Sequence, residues 1–220
     1  MNKVNRPIQV VVVGGGTAGW LSACLLAASQ SQNIKVTLVE SPNIATIGVG
    51  EGTWPSMRQT LRKIGLSEAQ FLIECDAAFK QGSCFENWCH NQNNDRYYHP
   101  FSVPSGYPQY DFSAQWLPYQ SDVSFADALS PQGRIADQYR APKSLMAGDE
   151  ATSLNYGYHL DAGKFATLLQ KQGTQKLGVD HILATIEHVK GEQDAPIQAL
   201  ITHDGQIIEG EVYVPFPFFP

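Results

Sequence analysis

The sequence lacks a basic excess: 15 Lys and Arg stand against 21 Asp and Glu, a formal charge of −6. Without a cationic surplus there is no electrostatic footprint for nucleic acid, and mild acidity favours solubility. Paired cysteines are lacking too. Cys24, Cys75, Cys84 and Cys89 form no CxxC pair and no disulfide framework. Cys84, Cys89 and His90 lie close together, but at the spacing of neither a haem attachment site nor a common zinc finger. They read as ordinary reduced thiols, and no metal site is expected. No internal repeat and no low-complexity tract appears before the last six residues. Charge is missing from Val10 to Ala28, after Lys3 and Arg6, a profile shared with signal peptides and membrane anchors. Three consecutive glycines and a threonine in its middle would weaken an inserted helix. That reading also leaves a well-formed second strand unexplained. The expectation is a soluble, cytoplasmic chain with no membrane partner. At 220 residues and 43% apolar content, it suits one large domain or two small ones with a real core.

What is present is concentrated near the amino end. Ile8 to Val13 reads as a buried parallel strand, polar only at Gln9, and runs into Gly14, Gly15, Gly16, Thr17, Ala18 and Gly19. Glycines 14, 16 and 19 stand in G-x-G-x-x-G spacing. A βα turn uses them for the tight bend, for close approach of backbone to a pyrophosphate, and for packing of helix on strand. Trp20 to Ser29 is apolar enough to be the following helix, with its N-terminal amides facing the phosphates. Lys35 to Glu40 alternates and ends in a carboxylate placed to accept the hydroxyls of an adenosine ribose. A lone glycine pattern is weak, but strand, turn, helix, strand and acid in order within about forty residues is strong.

A second glycine-rich loop, Ile47 to Pro55, follows. Its alternating glycines let backbone pass flat against a planar or charged ligand. Thr53 is expected to N-cap a helix over Ser56 to Ile64, which Gly65 ends. Ser67 to Gln70 fits a capping box for a helix running to about Cys75. Ala77 to Trp88, with Lys80, looks extended, and His90 to Asn155 looks like an irregular, aromatic-rich insertion packed over a site. Asp161 suits the N-cap of a helix from Ala162 to about Leu177, closed by Gly178. His181 to Val189 alternates as one strand. Ala195 to His203 and Gln206 to Val214 are expected to form a hairpin across a two-residue Asp204-Gly205 turn. His90, His99 and His159 have no triad or ligand spacing.

Four motifs in order then carry a family likeness: Gly14 to Trp20 (GGGTAGW), Gly48 to Pro55 (GVGEGTWP), Ala78 to Lys80 (AFK) and Tyr158 to Ala162 (YHLDA). Together they resemble the flavin-dependent tryptophan halogenase family, over residues from about 8 to 214. The resemblance implies an α/β, Rossmann-like FAD-binding fold, a parallel sheet with helices on both faces, a β-hairpin and the aromatic-rich insertion. It also implies chemistry. Reduced FAD, supplied by a separate flavin reductase, reacts with oxygen; a halide ion becomes hypohalous acid; a lysine then delivers electrophilic halogen to a small aromatic substrate such as tryptophan. Position by position, Gly15 and Ala18 fall where the family's first turn binds the FAD pyrophosphate, among the fingerprint glycines Gly14, Gly16 and Gly19, and Glu40 falls at the ribose carboxylate. Ser41, Ile44, Glu51 and Gly52 fall at further FAD positions, and Ile186 at an adenine contact. Gly52 replaces an alanine more usual there. Lys80 falls on the active-site lysine.

Chemistry gives its own reason for a lysine, since an ammonium donates a hydrogen bond that polarises hypohalous acid, while a neutral amine could form a chloramine. The plain alternative is a lysine at a strand edge with its head in water. Glu51 has one too, as an acid stabilised by a helix N-terminus. Division of the chain is expected at 1–90 (FAD-binding), 91–155 (insertion), 156–214 (completing part of the FAD domain) and 215–220. Pro215 to Pro220 holds three prolines and is expected to break the strand begun at Glu211. The family's members are considerably longer, and a truncation by frameshift or premature stop is the expectation. Three readings stay open: a halogenase by lineage, a related FAD monooxygenase that hydroxylates, and a non-catalytic flavin-binding fragment. A homodimer is left open as well.

Overall fold

A computed structural model describes residues 6–30, 33–44, 50–91, 95–144, 154–192 and 195–216. The chain opens with β1 (Ile8–Val13), α1 (Thr17–Gln30), β2 (Ile34–Glu40) and β3 (Gly50–Gly52). Next come α2 (Met57–Lys63), α3 (Glu68–Glu74), β4 (Ala78–Lys80), β5 (Gly82–Glu86) and β6 (Arg96–Pro100). Short helices α4 (Phe112–Trp116), α5 (Phe125–Leu129) and α6 (Gln132–Asp137) follow, with a 3-10 turn at Leu117–Tyr119. The last part holds β7 (Gly157–Asp161), α7 (Ala162–Lys176), β8 (Asp180–Leu183) and β9 (Ile186–Lys190). It closes with β10 (Ala199–Thr202), β11 (Ile207–Glu209) and β12 (Val212–Pro215). Contacts divide the chain into two compact units: Met1–Gly50, Thr60–Asp76 and Leu160–Pro220 in the first, Glu51–Gln59 and Ala77–His159 in the second.

The first unit is a parallel sheet in the order β12-β1-β2-β8, with Val10 opposite both Val36 and Val212. The parallel sheet is the expected Rossmann-like one, since strands buried on both faces read as continuous apolar runs, but the face expected to carry helices opposite α1 is packed by an antiparallel sheet instead. Alternation sends Val11 and Val39 to one face, where they pack with Leu200 and Ile208 of the antiparallel β11-β10-β9 sheet. Val10, Val12, Val36 and Leu38 are buried toward the other face, with α1. Helix α7 packs on α1, and Gly173 makes this close: a Cβ there would lie 3.1 Å from the Trp20 ring and 3.2 Å from Cys24 Sγ. Burial pushes the Cys24 thiol up to about 12 and, with the charges of Glu74, Asp161 and Asp76, does the same to Cys75. Both are inert core thiols. Among the described residues no helix is long and apolar enough to cross a membrane.

Several local expectations are corrected here. His181 to Val189 is two strands, because Ala184 N donates to Glu40 O (2.9 Å) and His203 N donates to Thr185 O (2.9 Å). The chain therefore changes sheet at Ala184–Thr185, β8 joining β2 and β9 joining β10. The hairpin turn spans three residues, His203 to Gly205: Thr202 N donates to Gln206 O (3.0 Å), and Gly205 takes the left-handed φ of 84° that such a loop needs. Its second arm ends at Glu209, and β12 pairs with β1 instead. The strand begun near Glu211 takes in Pro215 and ends there, at the first of the three prolines. Among the described residues β12 is an edge strand, and Phe216 N donates to Val13 O (2.7 Å), so alternation turns the proline nitrogen away from β1. Residues 217–220 lie outside the described residues. Ser67 does cap α3 by accepting from Gln70 N, but the Gln70 side chain donates to Glu74 (2.8 Å), so the reciprocal half of the box is not formed.

The second unit pairs β4 with β7 antiparallel, and β5 with β6. The extended stretch expected over Ala77 to Trp88 is interrupted after Lys80, and Gly82 sits so close to His99 O that a Cβ would lie 2.4 Å from it. Thr53 does not adjoin the helix it was expected to cap, since α2 begins only at Met57. Its N–H donates to Tyr158 O (2.8 Å) and its Oγ1 accepts from Tyr158 N (3.0 Å), stitching the loop before α2 to β7. The aromatic segment carries β6 and the short helices, capped where Asp111 accepts from Ser113 and Ala114 and where Ser124 accepts from Asp127.

Candidate cofactor and active sites

In the first unit the glycine turn is an elbow between β1 and α1. Gly14 N donates to Val39 O (2.9 Å), and its φ of 121° is open only to glycine without strain. Gly19 lies hard against Gly14, a Cβ there coming 1.9 Å from the Gly14 carbonyl oxygen. Gly15 is covered by the Glu40 carboxylate, which a Cβ would overlap at 1.3 Å. Gly16 differs: nothing lies within 4 Å of where its Cβ would stand. Its carbonyl accepts from Trp20 N (3.0 Å) to start the helix. Among the described residues the amides of Gly15 and Gly16 meet no acceptor, and the first turn of α1 carries no acidic side chain. Unspent donors, a helix N-terminus and open space coincide there, which fits an anionic diphosphate.

Glu40 closes β2 beside this elbow, its Oε1 2.7 Å from His181 Nε2. Ser41 Oγ meets Thr185 Oγ1 at 2.6 Å and accepts from Asn43 N at 3.2 Å, so it is held by the protein itself. Ala18 is exposed in the first turn of α1, and Ile44 is exposed beyond β2. Ile186 packs against the Val11, Val39, Leu200 and Ile208 cluster. The structure thus gathers Gly14, Gly15, Gly16, Gly19 and Glu40 at one elbow, whereas the Ser41 hydroxyl is turned to Thr185, Ile186 to the core cluster, and Ala18 and Ile44 are exposed. Residues 45–49 of the second glycine loop lie outside the described residues.

In the second unit Lys80 ends β4, opposite Gly157, while His159 lies opposite Ala78 on the same face. Gly52 lies beside both: a Cβ there would be 3.0 Å from Lys80 Nζ and 3.5 Å from His159 Nδ1. Lys80 Nζ also stands 5.7 Å from the centroid of the buried Phe101 ring. Lys80 and His159 line an open cleft of 820 Å³, with Gln81, Tyr98 and Arg140 on its walls. Burial first, and the Lys80 charge second, hold the His159 imidazole below its ordinary value. Glu51 is half-buried on β3, ahead of the start of α2 at Met57, so no helix N-terminus stabilises it.

Phe101 is fixed by a network. Gln132, 1% exposed, accepts from Ser102 N (2.8 Å) and donates to Asn155 O (2.6 Å); Asn155 Nδ2 donates to Phe101 O (3.3 Å). None of His159, Phe101, Gln132 or His181 stands out in the sequence as a site residue. Only the YHLDA motif, which contains His159, offered a signal. His181 is brought to Glu40 by a strand pairing with no local signature.

Residues 9–215 match the family described as tryptophan halogenase. The chain is 30% identical to a tryptophan 6-halogenase of Streptomyces albogriseolus, over 96% of this chain and 42% of that protein. It is also 30% identical to a tryptophan 7-halogenase of Lentzea aerocolonigenes, over 94% and 41%. The solved tryptophan halogenase of Shewanella frigidimarina superposes with a TM-score of 0.88 at 46% identity, covering 96% of this chain and 43% of its own. A flavin-dependent halogenase of Xanthomonas campestris gives 0.80 at 34% identity, over 94% and 42%. The chain spans less than half the length of each of these relatives.

Proposed function

The chain belongs to the tryptophan halogenase family, and from that premise we propose that it is the FAD-binding and lysine-bearing part of a flavin-dependent halogenase. The observation that carries this is the elbow at Gly16, where nothing lies within 4 Å of an added Cβ and where, among the described residues, the Gly15 and Gly16 amides meet no acceptor at the start of α1. Gly14, Gly15, Gly16, Ala18 and Gly19 would hold the diphosphate of FAD, and Glu40 the adenosine ribose. Ser41, Ile44, Glu51, Gly52 and Ile186 are the further contacts of this reading. When bound and reduced, FAD would supply electrons that let oxygen oxidise a halide to hypohalous acid.

Lys80 then does this chain's own chemistry. Its ammonium donates a hydrogen bond to the oxygen of hypohalous acid, which weakens the oxygen–halogen bond. An electron-rich ring carbon bonds the halogen, that bond breaks, and the oxygen leaves as water with the proton that the ring gives up. The substrate class is a small aromatic such as tryptophan, and the reduced flavin comes from a separate reductase. The same reading places the protein in the cytoplasm, as one copy or as a homodimer, which sedimentation velocity decides. The functional test is flavin binding by the purified chain, read by quenching of FAD fluorescence, followed by product analysis with a reductase, oxygen and chloride or bromide. Micromolar FAD binding with halide-dependent product in wild type, and binding without product in K80M, supports the reading. A chain with no affinity for oxidised or reduced FAD overturns it, and an oxygenated product formed without halide replaces it with hydroxylation.

A further inference from the structure

The carboxylate at the end of β2 is not left to find its own conformation. We propose that His181 is a positioning residue that holds Glu40 ready to accept the adenosine ribose hydroxyls of FAD; this rests on the FAD reading above. Four elements converge on the pair. β8 lies parallel to β2 with His181 opposite Leu38, which brings the imidazole alongside the Glu40 side chain. Nε2 of His181 stands 2.7 Å from Glu40 Oε1, and Nδ1 stands 3.3 Å from Gln170 Nε2 on α7. An amide nitrogen only donates, so Nδ1 accepts and the ring proton sits on Nε2, directed at the carboxylate.

The ring itself is clamped. Trp20 of α1, 1% exposed, meets it edge-on with centroids 5.0 Å apart and planes at 70°. Glu40 and His181 side chains are 20% and 14% exposed, so the hydrogen bond is shielded from competing water. On its other side the carboxylate covers Gly15, whose missing side chain leaves the room it occupies. A free glutamate would sample many rotamers, and ordering it on binding would weaken affinity. Here one lone pair of one oxygen is engaged by an imidazole N–H, and the remaining lone pairs stay available as acceptors. His181 acts on the ligand only through Glu40.

The test combines FAD dissociation constants with a ring spectrum. H181L is expected to weaken FAD binding about tenfold, the loss of one hydrogen bond to a charged group. H181Q retains a donor and is expected to stay within about threefold of wild type. In an E40A background H181L is expected to add nothing. H181L binding FAD like wild type, or adding its full effect in E40A, overturns the proposal. Should H181L fail to fold, the long-range proton–nitrogen spectrum of the wild-type histidines decides. A single Nε2–H tautomer for His181, with or without FAD, is expected, and an Nδ1–H form or a mixture overturns the proposal. Wild-type protein that binds no FAD sinks the cofactor reading instead, and the spectrum still tests the His181–Glu40 pair.

Discussion

Lys80 and His159 stand on the same face of the β4–β7 ladder, with Gly52 beside both. Proximity of a fixed positive charge disfavours a second one, which is the smaller of the two reasons that His159 is held low; burial is the larger. K80Q is therefore expected to raise the His159 value part of the way back, a shift read by NMR titration of the ring protons. The sign for stability follows. An imidazole with a depressed folded-state value contributes stability that is present above its unfolded value and is lost as pH falls through the folded one. Acidification from neutral pH should weaken the wild type, and K80Q should blunt that fall. An unmoved titration curve in K80Q would separate the two side chains.

Two glycines of one fingerprint, Gly16 and Gly19, have different tasks, and substitution should tell them apart. At Gly19 a methyl group meets the Gly14 carbonyl oxygen at 1.9 Å, and backbone cannot step aside. G19A is expected to cost about 1–3 kcal/mol in urea unfolding, the range for overpacking. At Gly16 there is nothing to meet. G16A is expected to leave stability within about 0.5 kcal/mol yet to weaken FAD binding at least about tenfold, because its methyl stands where the diphosphate should approach. Equal FAD affinity in G16A and wild type would put the ligand elsewhere.

Legibility in the sequence followed the range of the interaction. The glycine elbow and the Asp161 cap, whose carboxylate accepts from Lys164 N at 2.8 Å, are local patterns and were readable as such. The parallel sheet was readable too, because β1 is an apolar run, β2 alternates, and one helix, α1, ties them. What escaped depended on partners distant in the chain. His181 to Val189 alternates without interruption, and only the bonds to Glu40 and His203 show that it serves two sheets. Thr53 looked like a helix cap because the residues after it form a helix, but its hydroxyl is engaged by Tyr158. Pro215 looked like a strand breaker because a proline cannot sit centrally, and nothing local told that β12 is an edge among the described residues. The same holds for Gln132, a polar residue in a polar segment that turns out to be buried.

That buried amide makes a sharp test of how the second unit is held. Gln132 serves Ser102 N and Asn155 O at once, and Q132L keeps the volume while stranding both. The expected cost is about 1–2 kcal/mol, set by two part-buried groups left without their partner. Because Asn155 in turn holds the Phe101 carbonyl, the ring facing Lys80 should loosen as well. Broadened Phe101 ring signals together with a lowered urea midpoint are the expected result. A Q132L protein as stable as wild type would show that water replaces both bonds.

Gly157 gives the last and most local prediction. It lies on β7 opposite Lys80, and a Cβ there would stand 2.3 Å from Thr53 O and 3.0 Å from Thr53 C. Those atoms belong to the backbone that Tyr158 clasps through Thr53 on both its N–H and its hydroxyl, so neither side can yield without breaking the clasp. G157A is therefore expected to destabilise by about 1–3 kcal/mol, in contrast to G52A, whose methyl would have side-chain atoms as its nearest neighbours, Lys80 Nζ at 3.0 Å and the His159 ring at 3.5 Å. For G52A the change should stay within about 0.5 kcal/mol. Urea midpoints of the two variants, measured side by side, decide it; comparable losses would mean that Lys80 is as rigidly held as the Thr53 backbone.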